Sequence, residues 1–324
     1  MNNLKKIGLT ALAASLVSTS VFAGEMTVTG AASMTVEGYS GTSRNAGTAY
    51  SMGNSLDFKG SGELDNGLNV SLSMTLDQGD DETDTATGAA GSPFDSHSVT
   101  ISSDAMGTLK FAGEGGSSAQ STLDGTAAGD MWDNFDGTTT GTTVSTSATG
   151  NNMMLYTLPA MVDGLSVQAS YKPQGSGAAS STSFGATYTG IDGLSVSYGQ
   201  GDASTGVATT EADSTTMKAS YAMGSFTAAY SVNDYSTAVA NKDQETTSWK
   251  VSYTVSDAIS IGYGQEVIDL ENDAQDAEYD GFNASYTAGG MTLTANMQEA
   301  TDALHGVTAA EDSEYWSLGL SFAF

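Results

Sequence analysis

Cysteine is absent, which removes disulfides, thiol nucleophiles and thiolate-held metals together. Proline is nearly absent, with three in 324 residues, so no proline-rich linker divides the chain. Histidine occurs only as His97 and His305, and neither sits in a recognisable motif with a nucleophile, so no enzyme is expected. Positive charge is scarce: nine Lys and Arg stand against 38 Asp and Glu, a formal charge of −29, and Arg44 is the single arginine. Such a surface repels phosphates and excludes nucleic acid as a partner. Long apolar runs are also missing. Beyond the N-terminus, Ser, Thr, Gly, Asn or Asp breaks every apolar stretch within a few residues, so no transmembrane helix is expected.

The N-terminus reads as a secretory signal over 1–23. Lys5 and Lys6 form a basic start, Ile7 to Val17 an apolar segment, and Val21-Phe-Ala23 a small-residue cleavage site. Cleavage there leaves a domain of 324 − 23 = 301 residues, 24–324, with a charge of 7 − 38 = −31.

What fills that domain is alternation. The last ten residues, Tyr315 to Phe324, place Trp316, Leu318, Leu320, Phe322 and Phe324 on one face and small or mild residues on the other. A period of two is a strand. A greasy terminal strand is a sticky edge in a soluble protein, but in a membrane barrel lipid covers the face and closure removes the edge. Ten upstream segments share the pattern, among them Leu68/Val70/Leu72/Met74/Leu76, Phe226/Ala228/Tyr230/Val232 and Trp249/Val251/Tyr253/Val255. Weaker copies start at Met26, Leu56, Val99, Leu109 and Met154. Eleven strong and five weak segments predict an all-β fold, an antiparallel transmembrane barrel of about 16 strands.

Connections alternate in length. Short ones fall at Asp65-Asn-Gly67, 104–107, 159–164, Asp192-Gly193, 223–225, 256–258 and Gly289-Gly290. Long ones run roughly 37–49, 78–96, 114–150, 173–181, 200–213, 233–244, 269–277 and 299–312. Tight turns on one side and extended loops on the other are the outer-membrane arrangement. Tyr171, Tyr188, Tyr198, Tyr221, Tyr230, Tyr253, Tyr263 and Tyr286 are candidates for an interfacial aromatic girdle.

At this point the chain resembles the general diffusion porins of Gram-negative outer membranes. Phe58-Lys59-Gly60 and Asn66-Gly67-Leu68 resemble the family's second strand, tight turn and third strand. Gly107-Thr-Leu-Lys-Phe111 and Asn151 to Pro159 resemble the strands flanking its inward-folding third loop, and terminal Phe324 its assembly signal. The resemblance implies a homotrimer in the outer membrane, in contact with lipid bilayer and lipopolysaccharide. It also implies insertion by the barrel assembly machinery through Phe322 and Phe324, and passage of water, ions and small hydrophilic solutes. The family's constriction arginines are missing; Gly113-Glu114 stands where one is common.

By the same analogy, 114–150 is the constriction loop. It carries Glu114, Asp124, Asp130, Asp133 and Asp136 around Trp132 and Phe135. Carboxylates in a pore favour cations. Lys59, Lys110, Lys172, Lys218 and Lys250 lie out of phase with their lipid-facing neighbours and are expected to line the lumen. A lysine facing lipid would cost up to about 2–4 kcal/mol. Lys59 and Lys110, on early strands, would face the acidic loop and set a transverse field. Two other readings are a substrate-specific channel for sugars or amino acids, with Trp132 and Phe135 able to stack on a sugar, and a secreted acidic β-sandwich acting as adhesin or surface-layer component. No cofactor is required. The acidic outer stretches at 77–84, 269–276 and 311–314 could take Ca²⁺ or Mg²⁺ through oxygen ligands, though no segment fits an EF-hand frame.

Overall fold

The computed structural model describes residues 26–41, 47–77, 95–135, 144, 146–173, 180–203, 211–303, 305 and 312–324. The signal segment 1–23, Arg44, Asp136 and most of the acidic stretch 77–84 lie outside them.

Sixteen strands follow one another. They are β1 Thr27–Gly41, β2 Gly47–Glu63, β3 Asn69–Asp77, β4 Ser96–Ser103, β5 Gly107–Glu114 and β6 Met153–Thr157. Next come β7 Leu165–Lys172, β8 Ser181–Ile191, β9 Leu194–Asp202, β10 Ala212–Met223 and β11 Phe226–Thr237. The last are β12 Gln244–Ser256, β13 Ile259–Leu270, β14 Ala277–Ala288, β15 Met291–Thr301 and β16 Ser313–Ala323. Each pairs antiparallel with its chain neighbours, and β1 pairs with β16 from Ala31↔Ala323 to Gly41↔Ser313, so the sheet closes into a barrel. A single closed ring is not a two-sheet sandwich, and the adhesin reading falls with that. No helix among the described residues is long and apolar enough to cross a membrane; the strands do the crossing.

Alternation fixes the two faces. Trp316, Leu318 and Phe322 of β16 are exposed outward, while Ser313, Tyr315 and Ser317 are buried inward. The same split runs through β10, where Met217 and Tyr221 face out and Ser214 and Thr216 face in. Apolar side chains are on the outside because lipid, not water, is their solvent, and the packed interior is small and polar. Tyr188, Tyr221, Tyr253 and Tyr286 sit near the short turns, whereas Trp249, Phe282 and Trp316 lie farther toward the long loops.

Two expected boundaries move by several residues, one of them at the connection after β11, which is 238–243 and not 233–244 because β11 pairs out to Thr237. The first connection is 42–46, not 37–49, because β1 and β2 pair out to Tyr39↔Gly47. The outward positions there, Gly38 and Ser40, are not apolar, so the alternation is silent although the backbone ladder continues.

Candidate pore constriction

The connection from β5 to β6 turns into the barrel. At its neck Gly116 and Gly150 exchange backbone hydrogen bonds of 3.0 and 2.8 Å. From there the described leg, up to Phe135, does not span the lumen freely. It runs along the inner wall from β7 to β16, anchored strand by strand.

The anchors are mostly single hydroxyls. The amide of Ala119 donates to Ser170 on β7 at 3.1 Å and that of Gln120 to Ser183 on β8 at 3.3 Å. The amides of Ala127 and Ala128 donate to Ser231 on β11 and Ser248 on β12, each at 2.9 Å. Asn233 on β11 donates to the Asp124 carbonyl at 2.6 Å. Such bonds replace the sheet partners that a buried backbone needs. The side chain of Gln120 ties both legs to the wall. Its amide nitrogen donates to Ser214 and Thr216 on β10, and its oxygen accepts from Thr146 and the Ser147 amide on the returning leg. On β8, Gly185 leaves room for this, since a Cβ there would stand 2.4 Å from the Ala119 carbonyl oxygen.

At the tip the contacts change character. Glu266 on β13 is fully buried. One carboxylate oxygen accepts from the Thr126 hydroxyl; the other accepts at 3.1 Å from the Trp132 amide, in the first turn of the 3-10 helix Met131–Phe135. Beyond it, Phe135 packs on Tyr279 of β14 and Tyr315 of β16, with centroids 5.6 and 6.2 Å away. Met131, Ile268 and Ala300 complete a small apolar core inside an otherwise polar lumen.

The expected site residues divide accordingly. Lys172, Lys218 and Lys250 point inward, and each donates to a loop carbonyl. Lys172 reaches Thr149, Lys218 reaches Gly125 at 2.6 Å and Thr126 at 3.4 Å, and Lys250 reaches Ala128 at 3.3 Å. They hold the loop. Lys59 and Lys110 fall on the inward phase of the strands that the described leg leaves uncovered. Lys59 lies 4.0 Å from Asp57, which also accepts from Thr75 at 2.6 Å.

Among the acids, Asp133 is exposed on the 3-10 helix. Asp130 locks its own turn by accepting from the Thr126 amide at 2.8 Å. Burial pushes the Asp124 carboxyl above the usual carboxylate range, opposed by a hydrogen bond from Thr146 and reinforced by the Asp130 charge. Glu114 stays at the neck, 3.8 Å from His97. Trp132 is half-buried against the apolar core, and Phe135 is only 2% exposed. Phe135 therefore has no face to offer a sugar: it is an anchor, and that part of the stacking expectation is corrected. Among the described residues no group of three or more His, Cys, Asp or Glu is placed to hold a metal ion.

Glu266, Gln120, Asn233 and the wall serines were not singled out in the sequence. The one available signal was Glu266, a carboxylate in the lumen phase mid-strand, where Ser, Thr and Gly are the rule.

Comparison with known proteins places this geometry. A family model described as Gram-negative porin matches residues 8–280. No curated protein is significantly similar in sequence. Among solved structures, an anion-selective porin from Comamonas acidovorans superposes with a TM-score of 0.68 at 17% identity, covering 93% of this chain and 100% of that one. OmpT, an outer membrane protein of Vibrio cholerae solved in a trimer form, gives 0.68 at 14% identity, with 93% and 100% covered. A Rh. blastica porin variant gives 0.63 at 15%, with the same coverage. At these identities the likeness is one of fold.

Proposed function

The chain belongs to the Gram-negative porin family, and from that premise we propose a cation-preferring pore for small hydrophilic solutes. That it is an outer-membrane diffusion channel follows from the family and the closed barrel; the preference is our reading of its charges. The observation that carries it is the unequal use of the two signs. Three of the five inward lysines are tied to loop carbonyls at the barrel wall, while Asp133 is exposed on the loop.

The long-loop end adds to this. Carboxylates stand directly opposite one another on neighbouring strands at Asp202↔Asp213, Asp234↔Glu245, Glu245↔Asp269, Asp280↔Glu299 and Glu299↔Glu314. Like charges in such pairs repel and destabilise. All eight share the outward phase of Trp249, Met297 and Trp316, so they form an acidic outer rim at the long-loop end rather than a pore lining, and reach the pore only through the field of the whole molecule. Lys59 and Lys110 on the uncovered wall and the acidic loop form the transverse field.

In planar bilayers with a KCl gradient, the reversal potential is expected to take the sign of K⁺. The preference is expected to fade with salt, because the Debye length shrinks from about 10 Å at 0.1 M to about 3 Å at 1 M. A Cl⁻-signed potential at low salt rejects the preference while leaving the channel. Export by the 1–23 signal, insertion through Phe322 and Phe324, contact with lipopolysaccharide and assembly as a homotrimer belong to the same proposal. The trimer form of the Vibrio cholerae neighbour supports the last.

A further inference from the structure

Beneath the loop, against β9 and β10, lies a cavity of about 290 Å³. Its lining is Thr122, Leu123, Gly125, Ser195, Ser197, Lys218 and Ser220. In a chain with 38 carboxylates, this wall contains none, and its one charged group is an ammonium. Ser195 and Ser220 are register partners, as are Ser197 and Lys218, so the hydroxyls and the lysine share one inward patch. That patch lies toward the short turns after β8 and β10, at the end of the barrel away from the acidic outer rim.

Lys218 has three N–H groups. Two go to the carbonyls of Gly125 and Thr126, which leaves one for a ligand. Asp124 feels the Lys218 charge but takes its hydrogen bond from Thr146, and Asp130 accepts from Thr126 within its own turn, so neither acid closes an ion pair on the ammonium. Leu123 supplies an apolar wall. A cavity of roughly 150 Å³ already admits a benzene-sized molecule, so a small solute fits beside its water.

Resting on the channel reading above, we infer that this cavity is a solute subsite for small organic monocarboxylates, entered from the periplasmic side. The carboxylate meets the Lys218 ammonium and the Ser195 and Ser220 hydroxyls, and the carbon chain lies on Leu123. A charge-assisted hydrogen bond of this kind is among the stronger ones, and here it is the only charged contact on offer. A neutral polyol would find the hydroxyls but not the ion pair.

The test is single-channel current of the refolded full chain in 0.1 M KCl, with sodium lactate added to either side and glycerol as the comparison. Lactate is expected to block saturably, with a lower half-block concentration from the periplasmic side, and glycerol at equal concentration is expected to do neither. Lys218→Met is expected to raise the half-block concentration about tenfold, the factor that corresponds to about 1.4 kcal/mol. Because that variant also loosens the loop, Ser195→Val and Ser220→Val, which have no bond to the loop, are expected to raise it several-fold on their own. Equal block by glycerol, a linear dependence on lactate, or unchanged block in both serine variants overturns the subsite. A pore that conducts KCl but ignores lactate rejects the subsite alone. A silent protein removes the channel reading and the subsite with it.

Discussion

Glu266→Ala is expected to unfasten the tip of the constriction loop and widen the pore. The substitution leaves the Thr126 O–H and the Trp132 N–H without the carboxylate that accepts from both, at a wall position sealed from water in the folded protein. Each buried group left unpaired costs about 1–3 kcal/mol. Two of them make transient opening of the tip ~10²-fold more frequent, at tenfold per 1.4 kcal/mol. The barrel itself stays closed, because no strand pairing depends on Glu266 alone. Hydrogen exchange of the Thr126–Phe135 amides reads the effect directly, and single-channel recording should show a larger, noisier conductance. Glu266→Gln keeps one acceptor and is expected to fall between. Exchange at wild-type rates in the alanine variant would show that the apolar anchor holds the tip unaided. Phe135→Ala separates the two contributions, since emptying its place between Tyr279 and Tyr315 should cost about 3–5 kcal/mol.

This division of labour explains what could be read in advance. The lipid face writes itself into the sequence, because only apolar residues tolerate it, and alternation then reveals strand, phase and ring closure together. The lumen face carries no comparable mark. Ser170, Ser183, Ser231 and Ser248 look like any water-facing serine, yet each is buried under the loop and accepts one of its amides. A hydroxyl serves water and a loop backbone equally well, so type alone cannot distinguish them. Lys218 and Lys250 were legible as inward but not as loop anchors, since the phase of a strand gives direction and not partner. Phe135 looked like a ligand platform because an aromatic in a polar loop is unexpected. Its partners, Tyr279 and Tyr315, lie on strands more than a hundred residues away and face inward, the side on which alternation carries no apolar signal.

The same asymmetry between a legible outside and a concealed inside bears on closure. Removing β16 together with the terminal Phe324, residues 313–324, is expected to abolish the folded barrel rather than weaken it. That segment is the only partner of β1 on one side and of β15 on the other, so its loss exposes two ladders at once. In hydrocarbon each unpaired backbone group costs several kcal/mol, and the remaining strands have no open-sheet alternative. The closure is finished at its end: Gly30 and Phe324 exchange backbone bonds of 2.7 and 3.0 Å. The Phe324 ring covers Gly30 so closely that an added Cβ would stand 2.4 Å from it. Gly30→Leu must therefore displace the terminal ring while leaving every other residue of the seam in place. It is expected to lower the yield of folded barrel without abolishing it. Heat-modifiable gel mobility after refolding in detergent measures both. A truncated chain that still shows a heat-modifiable band would mean that β1 and β15 can close the ring between themselves. The seam would then be a matter of assembly rate and not of stability.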